Sequence, residues 1–63
     1  MRQIIRMRFK GKKMWYFLMC DGSSSRNRVR AVVYPSSETA DKELKHIHKN
    51  YPEYDAEMIA LDS

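Results

Sequence analysis

The chain predicts a small α+β domain, βββαβ, with one helix packed on one face of a four-stranded, mainly antiparallel sheet. Three observations predict it: an alternating apolar/basic run at Gln3–Lys10, a continuous apolar run at Met14–Cys20, and a capped amphipathic run ending before Pro52. All 63 residues form a single domain, 1–63, since a chain this short supports one core at most.

The first strand alternates with period two: Ile5, Met7 and Phe9 face one way, Arg6, Arg8 and Lys10 the other. The run MWYFLMC is apolar on both faces and rich in aromatics, as a central strand is. Between them Lys10-Gly11-Lys12-Lys13 suits a type II′ turn, with glycine at its first central position. That turn pairs Arg8 with Trp15, Met7 with Tyr16, Arg6 with Phe17 and Ile5 with Leu18. Ile5, Met7, Phe9, Met14, Tyr16 and Leu18 then share an apolar face. Ile4, Arg6, Arg8, Lys10, Lys13, Trp15, Phe17 and Met19 share the other. A slip of one residue would carry arginine into the core, which favours this register.

Asp21–Asn27 (DGSSSRN) is a polar loop, followed by a third strand at Arg28–Tyr34. This strand is expected to point Val29, Ala31 and Val33 inward and Arg28, Arg30, Val32 and Tyr34 outward. Ser36-Ser37 supplies a helix N-cap after Pro35, and Glu38 and Asp41 suit the positive end of the helix dipole. The helix runs from about Glu38 to Asn50 on a stripe of Ala40, Leu44, Ile47 and Tyr51, with Glu38–Lys42 and Asp41–Lys45 as i,i+4 pairs. Tyr54–Leu61 is the fourth strand. A right-handed crossover through the helix would make it parallel to strands one and three, in the order 3-2-1-4.

Charge is divided between the halves. Residues 1–30 hold nine cations and one acid, a net of +8; residues 31–63 hold three lysines and seven acids, a net of −4; together they give the chain's +4. Such a division places a positive surface on one part of the fold, open to phosphates or to acidic proteins. The candidate partner-binding residues are Arg6, Arg8, Lys10, Lys13, Trp15, Phe17, Arg26, Arg28, Arg30 and Tyr34. All but Arg26, which stands in the neighbouring loop, are expected on the sheet face the helix leaves open. Cations interleaved with rings bind unpaired bases and phosphates, and equally form protein interface hot spots. The bland alternative is mutual satisfaction: Arg8 on Trp15, Arg6 on Phe17, and Asp55 and Glu57 reaching Arg6 or Arg8 across strands. Two acids cannot neutralise six cations, so charge is left over.

Other chemistry finds little footing. The loop from Gly22 to Asn27 lacks the lysine–serine ending of a phosphate-binding loop. His46 and His48 stand two apart on a helix, pointing roughly 200° from each other, which is wrong for a metal pair. The carboxylates share no evident pocket, so the expectation is a protein with no enzymatic activity, no metal and no cofactor. Cys20 is expected as a small buried hydrophobe, its isolation fitting a reducing compartment. With 43% hydrophobic residues including seven aromatics, the chain can build a core despite 32% charged residues. Its longest apolar run, seven residues, is too short for a bilayer, and no leader pattern begins it, so a cytoplasmic protein without membrane attachment is expected.

In size and layout, from VRAVVYPSSETADKEL to the closing strand, the chain resembles the small host-takeover proteins of bacteriophages. These include the short phage inhibitor of bacterial RNA polymerase and several anti-CRISPR proteins. The resemblance implies a non-enzymatic inhibitor or regulator that docks its basic aromatic face on a host protein or ribonucleoprotein complex in the bacterial cytoplasm. It departs at Asp55 and Glu57, where the polymerase inhibitor carries arginines. Direct binding of DNA or RNA through the same face is the second reading, and a homodimer buried through that face the third.

Overall fold

The structure, a computed structural model, describes residues 2–61. Its elements are β1 (Gln3–Phe9), β2 (Tyr16–Leu18), β3 (Ser24–Ser25), a 3-10 turn (Arg28–Arg30), α1 (Ser37–Asn50) and β4 (Tyr54–Ala60). The four strands form one antiparallel sheet in the order β3-β2-β1-β4, with α1 on one face. Among the described residues, no helix is long and apolar enough to cross a membrane.

The register of the first hairpin is the expected one where it is paired: Arg6 opposite Phe17 and Met7 opposite Tyr16. The turn itself sits one residue earlier. Lys12 N donates to Phe9 O at 3.0 Å, and Gly11 takes φ +85° at the third turn position, as a type II turn requires. Type II turns splay strands instead of matching their twist, so the ladder closes only at Tyr16 and leaves residues 13–15 unpaired.

The second hairpin lies inside the expected loop. Gly22 N donates to Met19 O and Ser23 N–H closes on Asp21, with Gly22 at φ +86°, so Cys20-Asp21-Gly22 turns the chain back and Ser24–Ser25 pairs with Leu18 and Phe17. Asp21 Oδ1 accepts from both the amide (2.9 Å) and the hydroxyl (2.6 Å) of Ser23, and these bonds to the charged form hold its pKa below the ordinary 3.8. Cys20, on this turn, is exposed and not the buried residue expected.

The stretch 28–34 is not the third strand. Asn27 Oδ1 accepts from Val29 N at 3.1 Å and caps a single 3-10 turn, which reverses the chain once more. The segment after it runs antiparallel to β1: Gln3 and Tyr34 exchange both backbone bonds, and Val32 N donates to Leu18 O. This added reversal inverts the direction from which the chain enters α1. As a result β4 runs antiparallel to β1, from Gln3–Ala60 to Phe9–Tyr54, and not parallel as the crossover argument expects. It also changes the facing of the segment, although Ala31 is buried as expected. Val32 and Tyr34 pack on the helix-side core, whereas Val29 is 89% exposed and Val33 is exposed too.

α1 forms because its ends are satisfied locally. Ser36 Oγ accepts from Thr39 N, Thr39 Oγ1 accepts from Ser36 N, and Asp41–Lys45 pair at 3.1 Å. Ala40, Leu44 and Ile47 are buried, while Tyr51, expected in the same stripe, is half exposed beyond the last turn. The core is Ile5, Leu18, Leu44 and Ile47, edged by Met7, Val32, Tyr34, Ala56 and Met58. Phe9 and Met14, expected within it, are exposed.

Candidate functional site: a cation-flanked tryptophan and its surrounding charge

Alternation along β1 places Arg6 and Arg8 on the face opposite α1, and β4 sets an acid directly across from each: Glu57 beside Arg6 and Asp55 beside Arg8. Both pairs form. Arg6 contacts Glu57 through Nε and a terminal nitrogen, and Arg8 Nε lies 3.4 Å from Asp55 Oδ2. Trp15, in the splayed approach to β2, reaches back over β1. Its ring centroid lies 4.2 Å from the Arg6 guanidinium carbon and 4.3 Å from that of Arg8. Two cations therefore share one indole, each held from behind by a carboxylate. The arginine side chains are about a third exposed (34% and 33%), so the cluster is mostly covered and still reachable from solvent.

This is a partial realisation of mutual satisfaction, with one change of partner. Arg6 stacks on Trp15, not on its cross-strand neighbour Phe17, because the type II turn frees residue 15 to lean across both arginines. Phe17 shares the face, half buried opposite Arg6.

The other candidate residues are dispersed. Lys10 and Lys13 flank the first turn with Lys12, all exposed. Arg26 follows β3, and Arg28 and Arg30 sit on the 3-10 turn, again exposed, so none of the three belongs to a strand face. Tyr34 does not belong to the open face at all. It packs on the helix-side core, where burial first and the charge of Glu43 second push its phenol above the ordinary 10.0. Sequence reasoning missed Val29 as a surface residue; Asn27 followed by a one-turn cap was the local clue, since asparagine competes for backbone amides.

Among the described residues, the side-chain ion pairs are Arg6–Glu57, Arg8–Asp55 and Lys45–Asp41. Both acids of β4 are thus committed to β1. Lys10, Lys12 and Lys13 at one hairpin and Arg26, Arg28 and Arg30 beside the other enter no such pair. The last two bracket Val29, the most exposed of the large apolar side chains. An apolar knob between two exposed guanidinium groups is surface suited to contact.

The two histidines of α1 work within the structure. His48 Nε2 lies 3.3 Å from Ala56 O on β4, and Asn50 Nδ2 bridges to the ring and carbonyl of His46. Compared with known protein families, curated proteins and solved structures, the chain matches none.

Proposed function

We propose that this protein is a non-enzymatic binding module that docks its cationic surface on an acidic region of a larger macromolecular complex. One observation carries the reading: the strand acids are used up on Arg6 and Arg8, and Lys10, Lys12, Lys13, Arg26, Arg28 and Arg30, all exposed, enter none of the ion pairs among the described residues. Uncompensated charge of one sign lowers stability through self-repulsion and raises the encounter rate with an oppositely charged partner. Arg28, Val29 and Arg30 add the arginine-and-apolar chemistry of interface hot spots, and Trp15 offers a ring already oriented by two cations. The resemblance in size to small phage host-takeover proteins would make the target a host protein or ribonucleoprotein complex of the bacterial cytoplasm, with regulation or inhibition as the effect.

The test is capture of partners from bacterial lysate, with and without nuclease, by the wild type and by Arg28→Glu/Arg30→Glu. That variant leaves the Arg6–Trp15–Arg8 cluster untouched, so a retained circular dichroism spectrum is expected. A protein partner that survives nuclease and is lost with the double reversal is the expected outcome. Recovery unchanged by the reversal refutes this surface. Retention that vanishes with nuclease, and falls with salt at a log–log slope of about −0.7 per phosphate, replaces the reading with single-strand binding.

A further inference from the structure

α1 and the β2–β3 hairpin together line a hollow of about 450 Å³, with Met7, Leu18 and Ile47 as its apolar part and the serines Ser23 and Ser24 on the hairpin side. Its charged and aromatic lining has one chemical character. Glu43 and Glu53 supply carboxylates and Tyr51 and Tyr54 supply rings, while no lysine or arginine lines it among the described residues. In a chain of net charge +4, this is a local reversal of sign. Both carboxylates are available. Glu43 and Glu53 enter none of the ion pairs among the described residues. The bond between Lys10 and Glu53 runs from backbone N–H to backbone carbonyl at 3.0 Å and involves neither charged group. Lys12 lines the adjoining hollow beside Met14, not this one.

We propose that this hollow binds a linear aliphatic polyamine, with ammonium groups on Glu43 and Glu53 and against Tyr51 and Tyr54, and methylenes on Met7, Leu18 and Ile47. The two tyrosine rings stand edge to face, centroids 6.3 Å apart and planes at 72°, so they offer π faces in two directions. Aromatic walls of this kind hold alkylammonium groups through the ring quadrupole. The spread of the acids selects an extended ligand. Glu43, His46 and Glu53 line one hollow, yet among the described residues no three such side chains are placed to hold a metal ion. A compact cation therefore meets one carboxylate at a time. A chain with several cationic centres meets both, and the volume is that of a small-ligand site.

Other ligands fit less well. Phosphates and carboxylates would be repelled by Glu43 and Glu53. A neutral apolar ligand would strip water from both acids and return no hydrogen bond, a cost that polar burial always carries. The hollow contains none of Lys10, Lys12, Lys13, Arg26, Arg28 and Arg30, and it lies on the α1 side of the sheet, away from Trp15. It is thus independent of the cationic surface, and either reading can fail without the other.

The experiment is nuclear magnetic resonance of protein labelled at backbone nitrogens and methionine methyls, titrated with spermidine at constant ionic strength. Saturable shifts of the Met7 methyl and of the Ser23, Ser24 and Ile47 amides are expected. Butylamine, with one ammonium group, should bind about tenfold more weakly or worse, because the second contact of a linked pair is intramolecular. Glu43→Gln and Glu53→Gln keep side-chain shape and should each weaken spermidine binding up to about fivefold, the range of a solvent-exposed ion pair. Their amide spectra, otherwise unchanged, would show that the fold is intact. Tyr51→Leu should cost about two- to fivefold. Absence of saturable shifts at millimolar spermidine overturns the proposal. So does an equal response to butylamine, or to magnesium chloride at the same ionic strength, which would be charge alone. Unchanged affinity of the double variant Glu43→Gln/Glu53→Gln overturns it as well.

Discussion

Replacing Trp15 by leucine removes the aromatic face and keeps apolar bulk beside β1. Two guanidinium carbons stand 4.2 and 4.3 Å from the ring. At partly exposed sites each such contact is worth about 0.5–1 kcal/mol, so the loss should total about 1–2 kcal/mol. Removal also leaves Arg6 and Arg8 without the ring between them and their carboxylates as sole partners, and exposed ion pairs contribute only about 0.2–1 kcal/mol each. In a domain of this size, with a denaturant slope of about 1 kcal/mol/M in urea, the midpoint should fall by about 1–2 M. The assay is urea unfolding followed by circular dichroism, completed as a double-mutant cycle with Arg8→Met, for which a coupling of about 0.5–1 kcal/mol is expected. Repeating the cycle in about 1 M salt, where the Debye length is about 3 Å, should weaken the Arg8–Asp55 term and spare most of the ring term. A coupling below about 0.2 kcal/mol, or an unshifted midpoint in Trp15→Leu, would refute the claim that the cluster organises this face.

Ile5 is fully buried at the centre of the core, so Ile5→Ala should cost about 2–5 kcal/mol. A single core of this size rarely supplies more than about 3–5 kcal/mol, so loss of a cooperative thermal transition is expected, while Ile5→Val should lower Tm by only several degrees. A sharp, unshifted melt of Ile5→Ala would show that the core lies elsewhere. Tyr34 gives a pH dependence: its folded-state pKa is raised, so its contribution is fully present below pH 10.0 and is lost as pH rises through the folded value. Tyr34→Phe should lack that alkaline component; urea midpoints falling in parallel for both proteins above pH 10 would remove Tyr34 as its source.

Local grammar made part of this molecule legible from residues alone. α1 followed from Ser36, the 3.6-residue stripe of Ala40, Leu44 and Ile47, and Pro52, because cap bonds and periodicity involve neighbours within one turn. The alternation of Ile5 and Met7 with Arg6 and Arg8 fixed which side of β1 meets α1, and the strand order 3-2-1-4 followed from placing the most apolar run inside the sheet. The ion pairs of Asp55 and Glu57 were visible as cross-strand possibilities. What they left over, and where, was not.

Tertiary structure decided the remainder. Residues 28–34 carry apolar side chains at both parities, so period two could not choose a face; the asparagine-capped turn and the backbone pairing of Tyr34 with Gln3 chose it. The same reversal set the direction of β4, a property of the whole chain path and of no single segment. Trp15 came to lie over two arginines because a type II turn splays the hairpin, an effect of one hydrogen bond displaced by one residue. Phe9 and Met14 stayed exposed because one helix covers a strip of sheet about 10 Å wide, and this one lies along β4 and β1. Amphipathic pattern states which side of a strand is apolar; only packing states how much of that side is covered.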